Sequence, residues 1–159
     1  MKTLVVFYSR HNHTKLVGEL MGKFLGAAVE ELTDEKKRDH LISWSKSAFD
    51  EELKTPTKIL PVKNNPKNFD LVIIGTPMWD GVTPAVKAYL SLYSSKFKKV
   101  AFFATFNASA ENAFYVMEKL SKKKPIATLE IQDRQVNIKD HKRMIKEFCR
   151  EINKKIKHQ

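Results

Sequence analysis

The segment TLVVFYSRHNHTKLVGELMGKFL, residues 3–25, passes from an apolar run through a polar loop into a helical pattern. Residues 3–8 are continuously apolar or β-branched, as expected of a strand that is covered on both faces of a sheet. The apolar residues after the loop recur at helical spacing: Leu16, Val17, Leu20, Met21, Phe24 and Leu25. A helix is therefore expected to begin near Thr14. The loop, residues 9–14, would lie where free backbone N–H groups and the helix dipole attract an anion, and we interpret it as a phosphate cradle.

The composition is that of a basic, cysteine-poor globular protein. The 159 residues suffice for one domain with a buried core, which is expected to span residues 1–159. Cys149 is the one cysteine, which excludes an internal disulfide framework and favours a cytoplasmic protein. The first strand is too short to span a bilayer and no small-residue cleavage pattern follows it. Neither a membrane span nor a signal peptide is therefore expected.

The formal net charge of +11 is high for a chain of this size. Much of it lies in residues 96–99, in residues 122–124 and along the final helical pattern to Lys157. Such a balance favours acidic partners, and the alternative is a solvated lysine-rich surface without a specific partner. Nucleic-acid binding is not expected, because no recognition motif and no regularly spaced exposed aromatic residues accompany the charge.

Further apolar runs alternate with helical patterns along the chain. Strands are expected at residues 27–32, 70–75, 99–105 and 125–131. Helices are expected at residues 34–54, from Pro84 onward, at 111–120 and at 140–157. Cys149 falls on the apolar stripe of the last helix, which indicates a core thiol rather than a reactive one.

Five strands alternating with helices predict an α/β protein with a parallel sheet covered on both faces. Right-handed crossovers would join the strands into a three-layer α/β/α sandwich. In such sheets ligands bind beyond the carboxyl ends of the strands, where the strand order reverses. The polar loops after the first, third and fourth strands therefore share one rim.

The loop after the third strand, residues 76–84, has a tryptophan at its tip between two prolines that restrict the backbone. Trp79 either stacks on a planar ligand or caps the edge of the sheet. The phosphate cradle on the same rim favours stacking. Gly81 suits a turn that needs a positive φ or a close backbone approach to a ligand.

The loop after the fourth strand, residues 105–110, offers a second aromatic side chain, Phe106, followed by small and amide-bearing residues. Backbone groups in such a loop can bond the polar edge of a ring system. Together with a phosphate cradle and a stacking indole on the same rim, the loop indicates a planar heterocycle that carries a phosphate tail.

These segments resemble the flavodoxins, and the resemblance covers essentially the whole chain. It rests on FYSR at residues 7–10 with Thr14, on GTPMW at 75–79 leading to TPAV at 83–86, and on ENAF at 111–114. The resemblance implies that FMN lies at the carboxyl rim of a parallel sheet of order 2-1-3-4-5.

The resemblance also implies which residues surround each part of FMN. Those around the phosphate would be Ser9, Arg10, His11, Asn12, His13 and Thr14. Those flanking the isoalloxazine would be Pro77, Met78, Trp79, Asp80 and Gly81, with Trp79 as the stacked ring. Those approaching its other edge would be Thr105, Phe106, Asn107 and Ala108.

The chain departs from the family pattern in two of these loops. The first loop commonly reads Ser-Arg-Thr-Gly-Asn-Thr in flavodoxins, whereas His11, Asn12 and His13 stand in its middle here. Asn12 is the non-glycine residue best suited to a left-handed backbone, so the loop is expected to close. The third loop has Asn-Ala-Ser at 107–109 where glycines are common, and the added Cβ atoms would either crowd the ring or narrow the access to it. A metal site at the two histidines is not expected, because nothing nearby completes a tetrahedral set.

Three functions fit this pattern. The first is an electron carrier, in which FMN passes electrons between proteins and the basic surface attracts acidic redox partners. The second is an FMN-dependent NAD(P)H:quinone-type reductase, which the lack of a second Gly-rich dinucleotide motif disfavours. The third is a flavodoxin-like binding module that has lost FMN. Trp79 and Asp80, beside the ring, would dominate the redox potential of a bound flavin.

Overall fold

The computed structural model describes residues 1–34, 57–78, 81–110, 112–133 and 138–157. Within these ranges five strands form one sheet and four α-helices pack on it. In chain order the elements are β1 (Thr3–Phe7), α1 (His13–Leu25), β2 (Ala28–Glu31), β3 (Leu71–Met78), α2 (Pro84–Tyr93), β4 (Lys99–Phe106), α3 (Ala113–Ser121), β5 (Thr128–Gln132) and α4 (Ile138–Lys157). Short 3-10 turns lie at Pro66–Asn68 and Ser94–Lys96.

The strand order is β2-β1-β3-β4-β5, and every neighbouring pair is parallel. This confirms the predicted order 2-1-3-4-5 and the three-layer α/β/α arrangement. The chain leaves β1 for β2 on one side and later returns to β3 on the other, so the order reverses between β1 and β3. The carboxyl ends of these two strands therefore flank the crevice in which such sheets bind ligands.

Side chains of the central strands alternate between two buried clusters, as the period of two in a strand requires. Val5 and Ile73 face α1 and α4, whereas Val6 and Ile74 face α2 and α3. All four side chains are inaccessible to solvent. The sheet is thus covered on both faces, which explains why its strands read as continuous apolar runs.

Close packing fixes α1 and β4 against the neighbouring strands. A Cβ on Gly18 would collide with the ring of Phe7, so α1 lies closer to β1 than any other residue there would permit. A Cβ on Gly75 would likewise collide with the buried ring of Phe103 in β4. These contacts position the first turn of α1 and the end of β4 at the same edge of the sheet.

β3 and β4 continue further than the sequence pattern predicts. β3 is expected to end at Gly75 but continues beside β4 to Met78. The Tyr8 N–H donates to the Gly75 carbonyl at 3.3 Å, so Gly75 directs its backbone polar groups toward β1. Pro77, two residues further along β3, directs its backbone toward the same neighbour. β1 has already ended there, so none of the strands in the described residues needs the N–H that proline lacks. β4 extends one residue beyond its expected end, to Phe106.

The helices agree with the sequence pattern where the structure describes them. α1 begins at His13, one residue before the expected start, and α2 begins with Pro84 in its first turn, as predicted. α3 begins at Ala113 rather than at 111, which lies outside the described residues. The helix expected at 34–54 also lies outside them, apart from Asp34. None of the described helices combines the length and apolar character needed to cross a bilayer.

Cys149 lies on the buried face of α4, in the same cluster as Val5 and Ile73. It is 4% exposed, and burial raises the pKa of its thiol to about 11. The thiol is therefore protonated at neutral pH and serves as core, which confirms the sequence prediction.

Candidate functional site

A cleft of about 150 Å³ opens at the carboxyl edge of the sheet, between the β1–α1 loop and the ends of β3, β4 and β5. Water occupies about 30 Å³ per molecule in the liquid, so the cleft has room for a group of about five non-hydrogen atoms. A phosphate group is of that size. The residues that line the cleft are Arg10, His11, His13, Thr14, Pro77, Thr105, Asn107 and Asp133.

The β1–α1 loop closes through a left-handed residue. Asn12 has φ 65° and ψ −6°, as predicted from its place in the loop. Its carbonyl accepts the Leu16 N–H at 2.9 Å, so helical hydrogen bonding begins at once. The first-turn N–H groups of α1 and the positive end of its dipole consequently face the cleft.

Ser9 stabilises this loop instead of lining the cleft. Its hydroxyl accepts the Lys15 N–H at 3.3 Å, which satisfies one of the first-turn amides of α1. Ser9 and Asn12, both expected around a phosphate, are thus not among the residues that line the cleft, but they stabilise the loop that does. Arg10, His11, His13 and Thr14 are the residues of the first loop that the structure brings to the cleft itself.

Two buried hydroxyl groups meet at the floor of the cleft. Thr14 Oγ1 and Thr105 Oγ1 are 2.8 Å apart, and each residue is 1% exposed. One hydroxyl proton forms the bond between them, so the second can be donated to an acceptor in the cleft. The pair also joins the first turn of α1 to the end of β4.

A second hydroxyl pair supports the loop after β3. The Thr83 N–H donates to Thr76 Oγ1 at 3.2 Å, and the Thr76 hydroxyl donates to the Pro77 carbonyl at 2.9 Å. Both threonines are buried. Pro77, the residue of β3 that lines the cleft, is held near the strand end by these bonds.

The tip of this loop agrees with its predicted backbone. Met78 pairs with Val82 across the tip, and Gly81 has φ 145°, the positive value that its position predicts. Trp79 and Asp80 lie outside the described residues. The stacking of Trp79 on a planar ligand therefore stays a prediction.

The end of β4 contributes Thr105 to the cleft and the loop after it contributes Asn107, while Ala108 is exposed beyond the cleft. The Asn107 carbonyl accepts a hydrogen bond from Gln132 Nε2 at 3.0 Å, which ties this loop to the end of β5. Phe106 belongs to β4 and packs with the cluster under α2 and α3, as Met78 does. The side chains of Phe106 and Met78, both expected beside the ring, thus pack against the hydrophobic core between the sheet and helices α2 and α3.

Asp133, directly after β5, is a cleft residue that the sequence reasoning missed. Its Oδ1 lies 3.3 Å from His13 Nδ1. Burial raises the pKa of the Asp133 carboxyl, and the nearby His13, His141 and His11 oppose that rise. The available signal was its position: a polar residue follows an apolar strand at the rim that the other loops share.

The donors of the cleft suit an anion. Arg10, the Thr14–Thr105 hydroxyl pair and the N-terminus of α1 all offer hydrogens or positive charge, and Asp133 is the exception. Across the described ranges, no group of histidine, cysteine, aspartate and glutamate side chains is arranged to hold a metal ion.

No protein-family model and no curated protein sequence matches the chain, but solved structures share its fold. The flavoprotein of Lactobacillus acidophilus NCFM in complex with FMN is 20% identical at a TM-score of 0.70, covering 81% of this chain and 92% of that one. A putative flavoprotein of Bacteroides eggerthii DSM 20697 is 22% identical at 0.72, covering 92% and 97%. Reduced Megasphaera elsdenii flavodoxin is 13% identical at 0.59, covering 94% and 99%. The chain thus has a flavodoxin-like fold.

Proposed function

We propose that this protein binds FMN at the carboxyl edge of its sheet and transfers electrons between protein partners. The observation that carries the proposal is the cleft itself. A buried hydroxyl pair, a cationic side chain and the N-terminus of α1 converge there on a volume that fits a phosphate. The cleft lies next to the point at which the strand order reverses, where ligands of such sheets bind.

Each part of the cleft has a role toward the phosphate of FMN. Thr14 and Thr105 share one hydrogen bond and have one further hydroxyl proton to donate. The N–H groups of His13 and Thr14 at the start of α1 would supply backbone donors, and Arg10 would supply positive charge. Because the hydroxyl pair is buried, its bond to an anion would compete little with water.

Similarity to known structures supports the choice of FMN over other phosphate-bearing heterocycles. The flavoprotein of Lactobacillus acidophilus holds FMN on the same fold, and flavodoxins are among the other similar structures. A shared fold does not by itself assign a function. The proposal therefore depends on the cleft, and the similarity identifies which ligand to test first.

The proposed ring site is the loop of residues 76–84. Bound FMN would supply the electron-transfer chemistry, and the protein would orient the ring and tune its electronics. We propose that Trp79 stacks on the isoalloxazine and that Asp80 adds negative charge beside it. Both would disfavour an anionic reduced flavin, by desolvation and by repulsion respectively.

We further propose acidic redox proteins as partners and the cytoplasm as the location. The net charge of +11 supports acidic partners, since it would speed their encounter at low ionic strength. The absence of any cysteine besides the buried Cys149 supports a reducing compartment. Raising the salt concentration should slow the reduction of such a partner.

The direct test is to titrate the purified protein with FMN and with riboflavin, recording flavin absorbance and fluorescence quenching. Tight binding of FMN and much weaker binding of riboflavin are expected, because riboflavin lacks the phosphate. Failure to bind FMN under any condition would contradict the proposal and favour a binding module that has lost the cofactor. Steady oxidation of NAD(P)H by the FMN-loaded protein in the presence of a quinone would instead show a reductase.

A further inference from the structure

A carboxylate lies in a cleft that otherwise suits an anion, and it is paired with a histidine of the same cleft. Asp133 and His13 both line the cleft, with Oδ1 and Nδ1 3.3 Å apart. The Asp133 side chain is 16% exposed and the His13 side chain 58% exposed. The aspartate is thus the inner member of the pair, and the imidazole reaches the solvent-accessible side.

The pairing determines which nitrogen of His13 carries the proton. An ionised carboxylate only accepts hydrogen bonds, so Nδ1 is the donor toward Asp133. In a neutral imidazole Nε2 is then an acceptor, which does not suit an anion in the cleft. Protonation of Nε2 converts it to a donor and gives His13 a positive charge.

We propose that Asp133 is a positioning residue, which holds His13 so that binding of a phosphate monoester is accompanied by uptake of one proton at His13 Nε2. The proton comes from solvent, the new N–H donates to the phosphate, and no covalent bond forms or breaks. The inference rests on the proposed function for its flavin ligand, and it specifies how the charge of that ligand is balanced.

The groups around the pair act in both directions on a positive charge at His13. His13 is the first residue of α1, where the positive end of the helix dipole opposes an imidazolium. Arg10 and His11 from the loop and His141 from α4 add existing or potential positive charge near the pair, whereas the Asp133 carboxylate attracts an imidazolium. A phosphate dianion would add its attraction to that of Asp133, and so would favour a proton on His13 more than the free cleft does.

The consequence is an affinity for FMN that depends on pH. Uptake of one proton on binding lowers the association constant by up to about tenfold per unit of rising pH. The phosphate itself is mostly a dianion above about pH 6.5, so it contributes little to this slope from there to pH 8.5. Riboflavin carries no phosphate, and its affinity should not change over this range.

The experiment measures FMN and riboflavin affinities of the full chain between about pH 6.5 and 8.5 by fluorescence titration. Asp133→Asn should reduce the slope to less than about twofold per pH unit, binding FMN more weakly at pH 6.5 and more tightly at pH 8.5 than the wild type. Asp133→Glu should restore the slope. His13→Gln should abolish it, and His11→Gln, the matched control, should weaken binding equally at both ends.

If the FMN affinity of the wild type does not change with pH, or if that of Asp133→Asn falls steeply with rising pH, the inference is overturned. Either result leaves the proposed function, FMN binding, standing. If neither flavin binds, the proposed function fails, and inorganic phosphate then decides the inference. Phosphate added at pH 7.5 should shift the ring resonances of His13 in NMR spectra toward the imidazolium form, and should not do so in Asp133→Asn. Unchanged resonances in the wild type overturn it.

Discussion

The two edges of the sheet differ in how they carry charge. At the carboxyl edge the polar groups of the cleft bond to one another, as Thr14 does to Thr105 and His13 to Asp133. At the amino edge exposed lysines gather, and some are paired, as Lys98 is with Asp70. These lysines are Lys2, Lys23, Lys67, Lys96, Lys98, Lys122, Lys123, Lys124, Lys154, Lys155 and Lys157. The difference teaches that a net charge of +11 tells how basic a protein is and not where a ligand or partner binds.

The direction of the helices explains the basic edge. Each helix runs opposite to the strands, so its negative C-terminal end reaches the amino edge of the sheet. Lysines there compensate the helix dipoles, as Lys23 does in the last turn of α1 and Lys119 in that of α3. The acidic partner proposed above would thus be drawn toward the edge opposite the cleft. The charge would favour encounter with that partner more than docking beside a flavin.

The largest expected effect contrasts two glycines, one at each edge. Gly75→Ala should lower the free energy of unfolding by about 3 kcal/mol, because the new Cβ collides with the buried ring of Phe103. Gly26→Ala, at the amino-edge end of α1, should lower it by about 1 kcal/mol, because Gly26 has φ 60° but open space around it. Urea denaturation measures both. Equal losses would mean that packing near the carboxyl edge is no tighter than at the amino edge.

Trp79→Ala tests whether the carboxyl edge also holds the ring. Loss of a stacked indole should weaken binding by about 2 kcal/mol, roughly thirtyfold, and shift the midpoint potential of the flavin. FMN and riboflavin should lose affinity alike, because both contain the ring. Trp79→Phe is the matched control and should retain most of the affinity. An unchanged affinity and potential in Trp79→Ala would show that the indole is not the stacking residue.

Thr105→Val should affect FMN and spare riboflavin. It removes a hydroxyl from the buried pair at nearly constant volume, and FMN affinity should fall about tenfold. The free energy of unfolding should also fall, because the Thr14 hydroxyl loses its buried partner. Thr128→Val, at the exposed start of β5, is the control and should change neither. An equal loss of riboflavin affinity would show that the hydroxyl pair does not bind the phosphate.

Charge changes at the two edges should have unequal effects on FMN binding. Arg10→Gln removes one charge beside the cleft and should weaken FMN binding about fivefold. Lys123→Glu combined with Lys124→Glu reverses two charges but should change it by less than about twofold. A five-residue strand such as β5 is about 16 Å long, twice the screening length of about 8 Å in physiological salt. Fluorescence titrations measure the FMN affinity of both variants. Equal losses of affinity would show that charges at the amino edge act on the cleft as strongly as Arg10 does.

The smallest expected effect concerns one carboxylate at each edge. The pKa of Asp70 is lowered first by the Lys2 N–H, 2.9 Å from its carboxylate, and then by the Lys98 ammonium at 3.2 Å. Ionised Asp70 therefore stabilises the fold above the ordinary carboxyl pKa. This contribution is lost as the carboxylate is protonated in acid. The pKa of Asp133 is raised by burial, so its ionisation on rising pH destabilises the fold.

Thermal unfolding from about pH 2.5 to pH 7 distinguishes the two signs. Relative to the wild type, Asp70→Asn should lose stability as the pH rises, whereas Asp133→Asn should gain it. Parallel trends in the two variants would show that the two edges treat a carboxylate alike.

Most of the fold could be predicted because its strands are covered on both faces. Burial of Val5, Val6, Ile73 and Ile74 produces the uninterrupted apolar runs that identify the strands. The strand order could be predicted only from the resemblance to flavodoxins, since an apolar run such as residues 70–75 predicts a strand but not the strand with which it pairs. The end of β3 could not be read from sequence, because Pro77 normally interrupts a strand and is accepted here only where β1 has stopped.

The candidate site could be predicted in part, for a related reason. Thr14 and Thr105 belong to segments that match the family pattern, and the structure brings them together from the start of α1 and the end of β4. Asp133 belongs to no such motif, and its approach to His13 depends on how β5 lies beside the first loop. The sequence thus identified the loops and missed the contact of His13 with Asp133, which follows β5.

The burial of Cys149 offers a practical route to mapping contacts on this protein. Because its thiol is enclosed and protonated, maleimide and nitroxide reagents should leave it unmodified in the folded chain. A cysteine introduced at Asn107 or at Lys123 then becomes the one site for a fluorophore or spin label. The label that a bound partner immobilises would reveal which side of the molecule it touches.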